Sequence, residues 1–321
     1  MEFDVKERTI FRCLSGSHAY GTATPESDED FRGVAIPPKE WFLGFFRKFE
    51  QAESKPNPDK PEVPDEVIYD IRKFAALAAD NNPNVLELLF MPDDCVKLWT
   101  PAWERLVAVR DAFLSTRVKH SYSGYALAQL KRIRQHRGWL LHPMKEQPTR
   151  EKFGIPNNQA LAEFKAKTES AARAGLDIMQ LFGPQLQAEA AYKKALSEWN
   201  SYLNWKKTRN PVRAEMEARY GYDGKHASHL VRLLRQGYEI LTTGKVNVRR
   251  PDADELLAIR RDGIWPYDQL VEYAENMDRQ MTDIYDAGVS PLPKTPDVVQ
   301  IDRVVVEIVE DFLRFSSRKE V

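Results

Sequence analysis

GSHAYGTATPESDEDFRG, residues 16–33, sets a glycine-bearing turn a dozen residues ahead of the acidic cluster Asp28-Glu29-Asp30 and closes on Gly33. Carboxylates at that spacing repel one another unless water screens them or a cation sits between them. The flanks say what kind of backbone carries the cluster. Upstream, Thr9 to Leu14 (TIFRCL) is short, apolar and rich in β-favouring residues, and Ser15-Gly16-Ser17 stops it, which predicts a strand running into a tight turn. Downstream, Asp30 to Ile36 alternates in part and ends at Pro37-Pro38, which predicts a second strand and a hairpin-like pair.

Length and composition bound the answer. A chain of 321 residues exceeds the ~100–200 expected of one domain, so two packed domains are the default. Hydrophobic residues make up 42%, enough for substantial cores. The 47 Lys and Arg nearly balance 48 Asp and Glu, so any electrostatic steering must be local. Cys13 and Cys95 belong to no CxxC or Cys/His zinc pattern, which favours free thiols in a reducing compartment. The start, MEFDVKERTI, has no apolar core of a signal peptide, and no run near 18 apolar residues occurs. The expectation is a soluble, cytoplasmic protein without membrane association.

Gln51 to Glu66 (QAESKPNPDKPEVPDE) reads as a solvated, proline-rich loop. Val67 to Ile71 gives a third strand, and Arg72 to Ala79 a helix that ends near Asn81-Asn82-Pro83. From about Pro101 the apolar residues recur at helical spacing and strand signals nearly vanish. The predicted class is α+β, with a small mixed-sheet domain over residues 1–100 and a mostly helical domain over 101–321.

On a strand Asp28 and Asp30 share one face and Glu29 takes the other. Asp70, in the third strand, joins them if the strands pair. Three oxygen donors suit Mg²⁺ or Mn²⁺, hard cations that take carboxylates and substrate phosphates together. The Gly16-Ser17 turn offers backbone N–H groups and a hydroxyl to a phosphate. Metal and phosphate binders side by side point to phosphoryl or nucleotidyl transfer.

Gly16-Ser17 with Asp28-Glu29-Asp30 resembles the G-S…D-x-D signature of the DNA polymerase β nucleotidyltransferase superfamily. The longer string, with VIYDIRKF, NPNVLELLF, YSGYALAQLKR and DGKHASHLVRLLRQGYEIL, is similar to its RNA-repair-associated branch of predicted nucleotidyltransferases, the RlaP or YcgL-like group. The resemblance implies a polymerase β-like palm that transfers a nucleoside monophosphate from an NTP such as ATP to a hydroxyl acceptor, RNA ends or a tRNA-like acceptor foremost, with release of pyrophosphate. It implies that Gly16 and Ser17 hold the triphosphate while Asp28, Asp30 and Asp70 carry two divalent metals, with Asp70 assisting deprotonation of the acceptor. It also suggests Lys131, in the helical part, as a cation for the triphosphate. One position departs from the wider superfamily, where the residue between the aspartates is usually apolar and here is Glu29.

Between Arg117 and Lys152 nine Lys or Arg face two Glu, with Tyr122, Tyr125 and Trp139 interleaved. Such a segment suits phosphates plus bases, or else an amphipathic helix with a solvated basic face. His226 and His229 share a helix face without an HExxH context; if that face is functional, Lys225, His226 and Arg232 contact substrate phosphates. His18, beside the glycine turn, is a further candidate for nucleotide contact. Glu87, flanked by apolar residues, reads as a buried partner for a basic side chain. The competing class of function is a catalytically silent nucleotide- or RNA-binding module, including a toxin–antitoxin-like partner; three retained aspartates favour the enzyme.

Overall fold

The computed structural model describes residues 3–57, 59–60, 62–155, 158–209 and 211–317. The first part of the chain alternates strands and short helices: β1 (Thr9–Leu14), α1 (Ser17–Tyr20), β2 (Asp30–Ala35), α2 (Lys39–Phe42), β3 (Gln51–Ser54), β4 (Asp65–Asp70), α3 (Ile71–Ala79), α4 (Pro83–Leu86) and β5 (Val96–Trp99). Helices follow: α5 (Pro101–Val107), α6 (Val118–Leu141), α7 (Asn158–Arg173), α8 (Ile178–Thr208), α9 (Pro211–Tyr220), α10 (Gly224–Thr243), α11 (Ala253–Asp262), α12 (Tyr267–Ala287) and α13 (Val298–Ser317). The class is α+β, a mixed sheet followed by a mostly helical region, as the sequence predicts.

The sheet runs β3-β4-β2-β1-β5. β1 is paired on both edges and buries Ile10, Phe11, Cys13 and Leu14, which is why its sequence is an almost unbroken apolar run. β1 and β2 pair antiparallel, in the hairpin-like arrangement expected. Gly33 is required inside β2 because a Cβ there would stand 2.7 Å from the carbonyl oxygen of Phe11. Trp103 of α5 stacks on Phe11 at 4.1 Å and lies 5.2 Å from Phe74 of α3, and these buried rings fix both helices to the sheet.

Two local expectations need correction. Gln51–Ser54, read as loop, is an edge strand antiparallel to β4; a polar edge strand has no apolar alternation to announce it. The third strand begins at Asp65 rather than Val67, and it runs parallel to β2. A parallel pair needs a long crossover, which Ile36 to Pro64 provides.

The chain divides into two compact units. Residues 1–133 and 223–321 form the one that contains the sheet, and residues 134–222 form the other. In the first, α10 buries Leu230, Leu233, Leu234 and Ile240 and packs against α11 and α12. Each such side chain contributes about 1.5–3 kcal/mol on burial. In the second, Trp139, Tyr202 and Trp205 form an aromatic cluster, and Arg150 pairs with Glu189 at 2.7 Å. No helix among the described residues is long and apolar enough to cross a membrane. Cys13 and Cys95 are buried free thiols.

Candidate active site

The Gly16-Ser17 turn is fixed by the first pair of strands. Ser15 donates from its backbone N–H, at 2.7 Å, and from its hydroxyl, at 3.0 Å, to the carbonyl oxygen of Asp30. This places the turn against the first residue of β2. Gly16 has φ 64° and ψ −135°, a conformation that L side chains rarely adopt. A Cβ at Gly16 would also stand 3.0 Å from Asp30 Oδ2, so the aspartate carboxylate lies directly against the bare backbone of the turn. α1 then follows, with the N–H of Tyr20 donating to the Gly16 carbonyl at 3.0 Å and that of Thr22 to the Ser17 carbonyl at 2.9 Å.

The carboxyl of Asp30 is pushed up by burial, and Asp65 and Asp28 raise it further, while Arg32 and Lys225 act in the opposite sense. Asp65 is the residue the sequence reading missed. It opens β4 and pairs with Asp30 in the parallel register, so the two side chains leave the same face of the sheet. Arg32, two residues along β2, stands 3.6 Å from the Asp65 carboxylate. Three acidic groups and two cations therefore meet near the glycine turn, a distribution that raises the charge cost of ionising Asp30 and that a divalent ion would relieve.

Asp70 is elsewhere. It pairs with Ala35 at the far end of the same two strands, about 16 Å from the Asp30 level at ~3.3 Å per residue. Its carboxylate is 1% exposed, caps α3 by accepting from the Arg72 N–H at 2.7 Å, and pairs with the Arg72 guanidinium at 2.9 Å. The structure does not bring Asp70 to Asp28 and Asp30, and the three-carboxylate surface proposed from sequence is corrected accordingly. Strand pairing alone does not bring Asp70 to Asp30, because the parallel register sets Asp70 opposite Ala35. The signal that finds Asp65 was present: a connection long enough for a crossover puts the start of β4, not its end, level with the start of β2. Among the described residues no group of three or more His, Cys, Asp or Glu converges closely enough, as it stands, to hold a metal ion.

α10 supplies the opposite charge. Asp223 caps it through the N–H groups of Lys225, at 2.8 Å, and His226, at 3.2 Å. Lys225 is near enough to act on Asp30. The His226 ring hydrogen-bonds Gln129 of α6 through Nδ1 at 2.8 Å. His229 is driven down to about 3 by burial and by Arg232, Lys225, His226 and Arg260, so its ring is neutral. Arg232, two turns along, is 3% exposed and lies over the ring of Tyr20 at 3.8 Å. It reaches the glycine turn through Tyr20 rather than from the surface. Glu87 is the buried partner its apolar context announces: it accepts from the Tyr20 hydroxyl at 2.7 Å and stands 3.8 Å from Arg232 Nη1.

His18 is partly buried in α1, and its Nε2 lies out of solvent without a hydrogen-bond partner. Lys131 is exposed on α6. Of the aromatic residues interleaved with the basic segment, Tyr122 and Trp139 are core and Tyr125 is exposed, its hydroxyl accepting from Asn82 at 2.8 Å. Arg117, Arg150 and Lys152 have carboxylate partners. Three of the nine cations, all of them outside α6, are thus paired with carboxylates, and two of the three interleaved aromatic residues pack inward.

A glycine turn against an acidic strand start, on a mixed sheet, is the arrangement the sequence resemblance predicts. Residues 1–145 match RlaP, the RNA repair pathway DNA polymerase beta family. The RlaP match takes in the whole sheet, the turn and the acidic face, and it supports a nucleotidyltransferase-type role. An uncharacterized 38.9 kDa protein in the nrdC-mobD intergenic region of Enterobacteria phage T4 is 34% identical over 127 residues. That stretch is 38% of this chain and 38% of the phage protein, so the similarity spans well under half of either. No solved structure matches.

Proposed function

We infer that this chain transfers a nucleoside monophosphate from an NTP to a hydroxyl of an RNA acceptor and releases pyrophosphate. The observation that carries the reading is the position of the Asp30 carboxylate, whose Oδ2 a Cβ on Gly16 would meet at 3.0 Å: a turn suited to phosphate and a carboxylate suited to a cation adjoin. Gly16 and Ser17 hold the triphosphate, and Lys225 offsets its charge. The acceptor oxygen bonds to the α-phosphorus, the bond from that phosphorus to the bridging oxygen breaks, and the acceptor proton passes toward Asp65. Asp28, Asp30 and Asp65 are the residues that would hold Mg²⁺ or Mn²⁺. Such an ion supplies charge neutralisation on the phosphates and a lowered acceptor pKa. The donor set fits it, being hard oxygen donors whose mutual repulsion a cation relieves.

The test incubates the full chain with each α-labelled NTP, Mg²⁺ or Mn²⁺, and pools of RNA, protein or metabolites. Label on RNA with equimolar pyrophosphate is the expected result. Label on protein or a small molecule would move the acceptor, and nucleotide binding without pyrophosphate release would make the chain a silent module.

Gly16→Ala probes the turn itself. The strained backbone costs about 1–3 kcal/mol, and relief requires the turn to move off Asp30. NTP affinity is expected to fall about ten-fold or more, while circular dichroism shows the fold retained. Unchanged affinity would remove the turn from the site.

A further inference from the structure

We propose that Arg232, Glu87 and Tyr20 form a buried positioning device that sets the glycine turn against Asp30, so that the helical part of the chain controls nucleotide binding without touching the nucleotide. The proposal rests on the nucleotidyl-transfer reading for its kinetic consequence and on geometry alone for its structural one.

The device is continuous from α10 to the turn. Arg232 donates from Nη1 to Gln236 Oε1 at 2.5 Å, and Gln236 Nε2 donates to the carbonyl of Asn247 at 3.1 Å. The guanidinium carbon of Arg232 lies over the Tyr20 ring, the Tyr20 hydroxyl is held by Glu87, and the Tyr20 N–H closes on Gly16. The segment after α10 adds two direct ties: Arg250 donates its backbone N–H to the Tyr20 carbonyl at 3.0 Å, and Arg249 Nη1 donates to the His18 carbonyl at 3.0 Å. Arg249 is itself anchored on Asp94. The turn is thus held by its side chain from α10 and by its carbonyls from residues 249–250.

A stabilising role alone does not account for Arg232. Its Nε and Nη2 are buried without hydrogen-bond partners, and each such unmet donor costs free energy. A buried ion pair is often no more stabilising than packed apolar side chains of the same volume. What the arginine supplies that a leucine does not is a flat cation seated on Tyr20 and facing Glu87, which fixes where the ring sits. Burial pushes the Glu87 carboxyl up, while the Arg232 charge 3.8 Å away and the hydrogen bond from the Tyr20 hydroxyl act in the opposite sense.

The experiment compares wild type, Arg232→Met, Arg232→Lys and Tyr20→Phe, all as the full chain. Hydrogen exchange over residues 16–22 needs no nucleotide; steady-state NTP turnover gives KM and kcat. Arg232→Met and Tyr20→Phe are expected to speed exchange of the Tyr20, Gly21 and Thr22 amides about ten-fold, with protection of α12 unchanged. KM for NTP should rise about ten-fold at nearly constant kcat, and Arg232→Lys, which keeps the charge but not the flat guanidinium, should recover only part of it. Tyr20→Phe removes only the hydroxyl and keeps the ring, so it remains informative if Arg232→Met fails to fold. Unchanged exchange in Tyr20→Phe overturns the proposal. So does a KM effect in Arg232→Met with Tyr20→Phe silent, since that places the guanidinium on the substrate. Faster exchange in a protein whose wild type turns over no NTP supports the positioning device and defeats the nucleotidyl-transfer reading.

Discussion

Replacing Asp30 or Asp65 by asparagine is expected to lower pyrophosphate release about a thousand-fold, equivalent to about 4 kcal/mol of lost transition-state stabilisation, with no loss of thermal stability. Burial and two neighbouring carboxylates raise the carboxyl of Asp30, so replacing one of these acids by an amide relieves repulsion while it deletes a proposed cation ligand. Asp70→Ala should behave in the opposite way. Losing the α3 cap and the Arg72 partner costs about 2 kcal/mol, yet turnover per folded molecule stays at the wild-type level because the residue is at the other end of β4. Urea titration and pyrophosphate release on the three variants check both halves. Loss of turnover in a folded Asp70→Ala protein, with Asp65→Asn active, would return the third carboxylate to Asp70.

The second large effect concerns acid. His229 is neutral in the fold down to about pH 3, whereas an unfolded histidine takes up a proton near 6.5. Between these values the unfolded chain binds the extra proton. The contribution of His229 is therefore fully present above about pH 6.5 and is lost as pH falls toward 3. At 1.36 kcal/mol per unit, and discounted for the ring's partial exposure, the loss is about 3 kcal/mol. Glu87 and Asp30, whose carboxyls are raised, work in the opposite direction as acid is added, so the measurement must be a difference. His229→Gln has no proton to take up, and its unfolding free energy should drop less than that of wild type between pH 7 and 4. Parallel curves for the two proteins would show that His229 titrates normally.

The stretch from Thr9 to Gly33 was legible because every local signal in it agrees: an apolar strand, a glycine turn, and an acidic strand start. α3 was legible from its apolar face and from the Asn-Asn-Pro stop. β3 and β5 were not, because strands of four residues carry too short a pattern to stand out. Asp65 escaped for a topological reason. Which carboxylate meets Asp30 depends on strand direction, a property of the pairing and not of either strand's own residues. The burial of Arg232 escaped likewise, since beside Lys225 and His226 it reads as a contact for substrate phosphates until Tyr20 and Glu87 are known to lie beside it.

Arg249 and Arg250 hold a turn that was synthesised more than two hundred residues earlier. At about 5–20 residues per second, the glycine turn and Asp28-Glu29-Asp30 leave the ribosome roughly 10–45 s before these ties exist. During that interval the turn has its local hydrogen bonds and the Tyr20–Glu87 contact but no tie from residues 249–250, and closing so long a loop is slow in entropy terms. A polypeptide that stops anywhere in residues 134–222 therefore carries every acidic residue of the site and none of the ties from α10 and residues 249–250. If the turn holds an NTP as proposed, full affinity is expected only once residues 249–250 have been made.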